Sequence, residues 1–220
     1  ATALAPAWTA SLAWGNRKSI IRSATELCRL MDDSPHEFIL HHGEKDRKRF
    51  ERFVHRTFQY TDSLYFLEFL QHWYQNHGNL EQAFSRDDAG QRLKGMEAML
   101  NQFYAHFFSR PHVPDRTRKH VSRPAGGSRC KRLLMFLRWM VRKDDNGVDF
   151  GIWQELRPDE LMLPLDVHVE RTARKLGMLS RKRLDWMAVE ELTSVCRLLR
   201  PEDPCLYDFA LFGMGLESEH

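Results

Sequence analysis

Residues 128–143 read Ser-Arg-Cys-Lys-Arg-Leu-Leu-Met-Phe-Leu-Arg-Trp-Met-Val-Arg-Lys. Leu133, Phe136, Leu137, Met140 and Val141 recur here at three- and four-residue spacing, the period of a helix with one buried face. The same period appears on both sides of this stretch. Upstream, Leu64, Leu67, Phe69, Leu70 and Trp73 follow a cap at Thr61 or Asp62, and Leu93, Met96, Leu100, Phe103, Tyr104 and Phe107 repeat the pattern. A turn at His77-Gly78-Asn79 divides these two blocks. Asp33-Ser34-Pro35-His36-Glu37 opens a further helix, with Ser34 as cap, Pro35 in the first turn and Glu37 completing a capping box. Downstream, the pattern predicts helices over 167–176, closed by Gly177, over 186–199, ended by Pro201, and over 207–212, ended by Gly213. Segments of strict two-residue alternation are absent, so the expected fold is all-α. The stretches 109–128 and 143–164 read as irregular connections.

The chain of 220 residues is long enough for one large domain or two small lobes with a real core. Its 42% hydrophobic and 29% charged residues exclude a disordered polymer. Four cysteines, Cys28, Cys130, Cys196 and Cys205, form no Cys-x-x-Cys pair, so reduced thiols in a cytoplasmic protein are expected. No run approaches the ~20 apolar residues of a membrane span, and no membrane partner is expected. Ala1 to Trp14 is apolar and uncharged, but without a basic flank it reads as a core helix rather than a signal peptide. His36-Glu37-x-x-x-His41 misses a zinc motif by one residue: five residues turn a helix by ~500°, so the two rings diverge. No metal is expected.

The net charge of +3 hides a polarised distribution. Between Arg110 and Lys143 lie eleven basic residues and one acidic one, Asp115, so this window carries +10 and the rest of the chain −7. Such clustering is the footprint of a phosphate-binding surface. Lys131, Arg138 and Arg142 fall on one helix face, opposite much of the apolar stripe, where they form either a solvated basic face or a phosphate contact. Pro124-Ala125-Gly126-Gly127-Ser128 is a tight turn feeding that helix. Its glycines let a ligand approach the backbone, Ser128 is placed to cap, and the unpaired N–H groups of a first turn attract anions.

Two residues in this neighbourhood carry chemistry. Lys131, in the first turn, faces the positive end of the helix dipole and lies between Arg129 and Arg132. That setting suits either a nucleophilic amine or a phosphate-contacting cation. Asp166, in Leu163-Pro164-Leu165-Asp166-Val167-His168-Val169-Glu170-Arg171, stands where an apolar segment enters a helix, which suits an N-cap, a catalytic carboxylate or both.

These segments resemble a known superfamily. The 165–171 stretch is similar to the V-D-T-H-V-x-R segment of helix-hairpin-helix DNA glycosylases of the endonuclease III-like superfamily. Cys130-Lys131-Arg132-Leu133-Leu134-Met135-Phe136 resembles the segment that carries their nucleophilic lysine. The 35-residue separation of Lys131 and Asp166, and Leu163-Pro164-Leu165-Asp166, resemble the archaeal 8-oxoguanine glycosylase branch, and the chain as a whole looks most like a bacterial family related to these glycosylases. Residues 12–20 are similar to the stretch lining the lesion side of the cleft, and Pro201-Glu202-Asp203-Pro204 with 207–213 looks like the closing helix.

The resemblance implies a two-lobed helical unit over 1–220 with a central cleft. Its sub-lobes would span 25–165, with a hairpin near 113–142, and 1–24 with 166–220. It implies Lys131 and Asp166 as catalytic residues and double-stranded DNA with a damaged base as partner. Gly126, Gly127, Ser128, Arg129, Arg132, Arg138, Arg118, Lys119 and His168 would hold DNA, and Trp14, Asn16 and Arg17 would line the base pocket. Trp139 and Trp153 are further candidates for stacking on a flipped base. The cysteines form no iron–sulfur loop, so no cofactor is expected, and the protein is expected to be a monomer. Two rival readings stay open: a non-catalytic nucleic-acid-binding module with this fold, and a helical protein-interaction domain.

Overall fold

In a computed structural model of the chain, the described residues are Trp8, Ala10, Ala13, 15–145 and 147–217. Among them the principal helices are α1 (Arg17–Leu30), α2 (Pro35–His41), α3 (Tyr60–His77), α4 (Met96–Phe107), α5 (Lys131–Val141), α6 (Val167–Lys175), α7 (Trp186–Leu199) and α8 (Asp208–Glu217). Short helical turns join them. No strand forms among the described residues, and two isolated bridges, His55 with Phe58 and Lys143 with Phe150, are the only extended pairings there. The all-α expectation holds.

The helix starts follow local chemistry. Asp62, at the third position of α3, accepts the Gln59 N–H at 2.8 Å, so the cap lies at Gln59 and Asp62 reaches back to it. Asp166 caps α6 with its own carboxylate, and α7 runs over the residues the pattern predicts. Three expectations fail. Ser34 stands at the cap position of α2, but its side chain makes no capping hydrogen bond and no box with Glu37 forms. Ser128 does not cap α5: the cap position is Cys130, held left-handed at φ 49°, and the Ser128 hydroxyl instead accepts the Cys130 N–H at 3.1 Å. The last helix does not stop at Gly213 but continues to Glu217. Gly215 shows why glycine recurs here. A Cβ at this position would lie 2.8 Å from the His168 carbonyl oxygen, so it permits α8 to press against α6 rather than ending the helix.

The chain divides into two compact units, 1–91 with 102–121, and 92–101 with 122–220. These boundaries differ from the expected sub-lobes. The window 113–142 is split, its first part belonging to the first unit and α5 to the second. The core of the first unit is aromatic: Trp8, Phe50, Phe53, Phe58, Phe66, Phe69 and Phe107 are buried, with Phe69 and Phe107 at 4.5 Å between ring centroids. Buried Asp62 accepts the Thr117 hydroxyl at 2.7 Å and pairs with Arg116 at 3.4 Å, which pins residues 115–120 onto α3.

In the second unit α5 is buried on nearly every side. Leu133, Leu134, Phe136, Leu137, Met140 and Val141 face the core. The opposite face is not solvated. Arg138 is 5% and Arg142 6% exposed, and aspartates from three later segments meet them. Arg138 donates from Nε to Asp149 at 3.2 Å and from Nη1 to Asp208. Arg142 donates from Nη1 to Asp149 and from Nε to both oxygens of Asp203 at 3.0 Å. The planar guanidinium can serve two carboxylates at once, which a lysine ammonium does poorly. Asp149, fully enclosed, is shared by both arginines. Removing one member of such a buried set leaves uncompensated charge. Asp149→Ala should therefore cost about 3–5 kcal/mol of stability, read as a lowered urea midpoint at neutral pH. A loss under about 1 kcal/mol, the range of exposed pairs, would contradict the pairing described.

Candidate functional site

Lys131 and Asp166 come together in the second unit. Lys131 Nζ lies 3.7 Å from Asp166 Oδ2, and the two side chains are 30% and 17% exposed. Both stand at helix starts. Asp166 divides its oxygens between two tasks: Oδ1 accepts the N–H groups of His168 and Val169, each at 2.9 Å, and Oδ2 faces the lysine. The α6 backbone thus fixes the rotation of the carboxylate. Lys131 is aimed by Cys130, whose left-handed backbone lets the chain turn sharply into α5. Burial pushes the Cys130 thiol up to about 11, so the sulfur beside the lysine stays protonated at neutral pH.

The approach to α5 is the glycine turn. Residues 124–126 form a 3-10 turn, and Gly127 is left-handed at φ 75°. The Gly126 and Gly127 amides close this turn themselves, donating to the Arg123 and Pro124 carbonyls at 3.1 and 2.7 Å. Neither amide is therefore an anion donor. The Ala125 N–H is anchored on Asn101 Oδ1 at 3.0 Å. Arg129 is half-buried, and its Nη1 is enclosed with no hydrogen-bond partner among the described residues. Arg183, which sequence reasoning missed, brings Nη2 to 3.4 Å from where a Gly127 Cβ would sit.

The other expected DNA contacts scatter. Arg138 is a correction: it is buried and paired with Asp149 and Asp208, so it cannot meet a phosphate. Arg142 fails on the same face for the same reason. Arg132 is half-buried, and burial lowers its pKa. The His168 ring stands edge-on to Phe212 at 5.3 Å between centroids, directed at α8. Arg118 and Lys119 are exposed but belong to the first unit, where Arg118 lies over the Phe108 ring at 5.1 Å. Arg110 there pairs with Glu68, and Arg116 with Asp62. The +10 window is thus divided between the two units, and Arg138 and Arg142 within it are withdrawn from solvent. Of the base-pocket residues, Asn16 and Arg17 are exposed in the first unit, where Asn16 caps α1 by accepting the Lys18 N–H at 2.8 Å. Trp14 lies outside the described residues. Trp153 is buried edge-on against Phe136.

Among the described residues no group of three His, Cys, Asp or Glu side chains is arranged to hold a metal ion. No described helix is long and apolar enough to cross a membrane. A family model matches residues 2–217, nearly the whole chain. The chain belongs to the DUF2400 family, described as protein of unknown function. No curated protein and no solved structure matches it.

Asp208 is the main residue missed. It opens α8, is 7% exposed, and bonds Arg138. Burial pushes its carboxyl up to about 6, and the nearby Asp166 charge adds to the rise, while Arg138 and Lys131 oppose it. Its sequence signal is the one that marks Asp166, an aspartate leading into an apolar helix. The linkage has a definite sign. An acid whose pKa is higher folded than unfolded stabilises the fold below its ordinary value of 3.8 and loses that contribution as pH rises through about 6. Asp208→Asn cannot ionise, so its stability relative to wild type should improve by a few kcal/mol between about pH 4 and 7. Urea unfolding at each pH checks this, and a constant difference across the window would refute it.

Proposed function

We propose that this DUF2400 protein is a helix-hairpin-helix-type DNA repair glycosylase with lyase activity, acting on a damaged base through Lys131. The observation that carries this reading is the approach of Lys131 Nζ to Asp166 Oδ2 at 3.7 Å, with both groups partly open to solvent. A nucleophilic amine needs a neighbouring base to take its proton and a fixed direction of attack. Asp166 supplies the first, and its bonds to the α6 backbone, with the Cys130 turn, supply the second. The exposed Arg183 beside the glycine turn that precedes α5 supports a phosphate contact near the start of that helix.

The chemistry then runs through named atoms. A damaged nucleotide is flipped out of the stack, at a cost of a few kcal/mol. Lys131 Nζ forms a bond to the sugar C1′ as the C1′–N bond to the base breaks. The base leaves with that electron pair and takes up a proton. Asp166 accepts a proton from Nζ and stabilises the positive charge that develops on the sugar. Opening of the C1′–O4′ bond, with protonation of O4′, gives the imine between lysine and C1′. Loss of a C2′ proton from that imine expels the 3′-phosphate and cuts the strand.

Borohydride reduces such an imine to a stable link. Wild-type protein should form a covalent adduct with abasic DNA and with duplexes carrying 8-oxoguanine. Lys131→Ala should form none, and Asp166→Asn should lose about a hundredfold or more in rate. Adduct-free protein on every lesion would sink the lyase reading. If such protein still bound duplex DNA with an affinity falling steeply in salt, the non-catalytic binding module would stand in its place. Salt-independent behaviour would favour a protein partner.

A further inference from the structure

α5 presents three cations along one face, at Lys131, Arg138 and Arg142, and four aspartates answer them: Asp166, Asp208, Asp149 and Asp203. With every group ionised the set holds one negative charge too many, and it is largely shut away from water. A proton on one carboxyl removes the excess. The position of Asp208 makes it the carboxyl that links the two ends of the set. It bonds Arg138, two turns along α5 from Lys131, and it opens α8, which packs on the helix that Asp166 opens. The Arg138 guanidinium also lies 4.4 Å from the centroid of Phe209, the next residue of α8.

We propose that Asp208 is a positioning residue for the Lys131–Asp166 pair: its bond to Arg138 holds α6 and α8 against α5, and its protonation state sets the net charge beside the pair. The proposal rests on the reading of that pair as the reacting one. The groups facing Asp208 are Arg138 and Lys131 from α5, Asp166 from α6, Cys196 from α7 and Cys205 from the turn before α8, with Asp149 reached through Arg138. His168 lies farther along α6, against Phe212. Burial keeps both cysteines protonated at neutral pH, so neither competes with Asp208 for the proton. Burial and the Asp166 charge raise Asp208 to about 6, within reach of ordinary changes in pH. Ionised Asp208 adds a negative charge beside the pair, and protonated Asp208 removes it.

The test reads Lys131 without DNA. Reductive methylation by formaldehyde and cyanoborohydride, followed at Lys131 by peptide mass spectrometry, reports the fraction of free amine. At about pH 8, Asp208→Asn should methylate Lys131 about tenfold faster than wild type, and the two rates should converge near pH 5, where wild-type Asp208 is itself protonated. Equal rates over the whole range would overturn the proposal. Asp203→Asn, which removes a charge at the far end of the face, should change the rate less than about twofold; an effect equal to that of Asp208→Asn would assign the change to net charge alone and overturn the positioning role. A second measurement spares Asp208. Its carboxyl carbon, followed by NMR, should titrate at lower pH in Asp166→Asn and at higher pH in Lys131→Ala, because the coupling is reciprocal. An unmoved midpoint in both variants would again overturn it. Borohydride trapping on abasic DNA separates the two readings. Absence of adducts with the methylation difference intact discards the lyase activity and keeps the coupling. Adducts without the difference discard the coupling alone.

Discussion

Arg138 and Arg142 carry two positive charges into the interior of the second unit, and the later part of the chain is arranged to answer those charges. A buried guanidinium without a partner is far more costly than any packing its stem provides. The segments after α5 must therefore return carboxylates to its face. Asp149 comes from the loop that turns back along the helix, Asp203 from the turn after α7, and Asp208 from the start of α8. The loop is shaped for the purpose: Asp144 accepts the Val148 and Asp149 N–H groups at 3.2 and 3.1 Å and sets the backbone from which Asp149 reaches inward. Such a set defines which helices pack on α5 more than it adds net stability, because each ion also loses its hydration.

Lys131 is the outer member of the same face and differs from the others in three respects. Its contact is longer, it meets a single carboxylate, and both partners are open to solvent. The inner pairs hold rigidly because they are enclosed and bonded through several atoms. The outer pair is held by its neighbours instead: Asp166 by two backbone N–H groups, Lys131 by the left-handed turn at Cys130. A reactive lysine needs this combination of fixed direction and incomplete pairing.

The fold is largely legible in the sequence because helical periodicity depends on near neighbours. The α7 boundaries and the Asp166 cap depend on residues within a few positions of one another. The features that escape depend on partners far along the chain. Spacing places Arg138 and Arg142 on one face with Lys131, but it offers no way to tell water from aspartates supplied up to 70 residues later. The charge window fails for the same reason: a sum along the chain counts Arg110 and Arg116 as available when Glu68 and Asp62 already hold them. Gly213 reads as a helix end because glycine often ends helices, whereas close packing of two helices, as at Gly215, also selects it.

The withdrawal of these arginines also bears on how the protein would hold nucleic acid. Salt dependence scales with the number of phosphates neutralised, so it counts exposed cations rather than sequence charge. Near α5, Arg138 and Arg142 are withdrawn, Arg123 and Lys143 remain exposed, and Arg129 is half-buried beside the glycine turn, while elsewhere in the second unit Arg92, Lys94, Arg157, Lys175, Lys182, Arg183 and Arg200 are exposed. Of the α5 cations only Lys131 and Arg132 remain within reach of solvent, so the helix itself can add few phosphate contacts. On the proposed glycosylase reading, discrimination would come from the nucleotide that reaches Lys131. A damaged or unpaired base costs less to extrude than a paired one. A lysine held in one direction at such a site would favour places where the stack is already disturbed. On that reading, burying the two arginines in the helix that begins with Lys131 holds the Lys131–Asp166 pair from within, and it leaves recognition to the site itself rather than to the charge of α5.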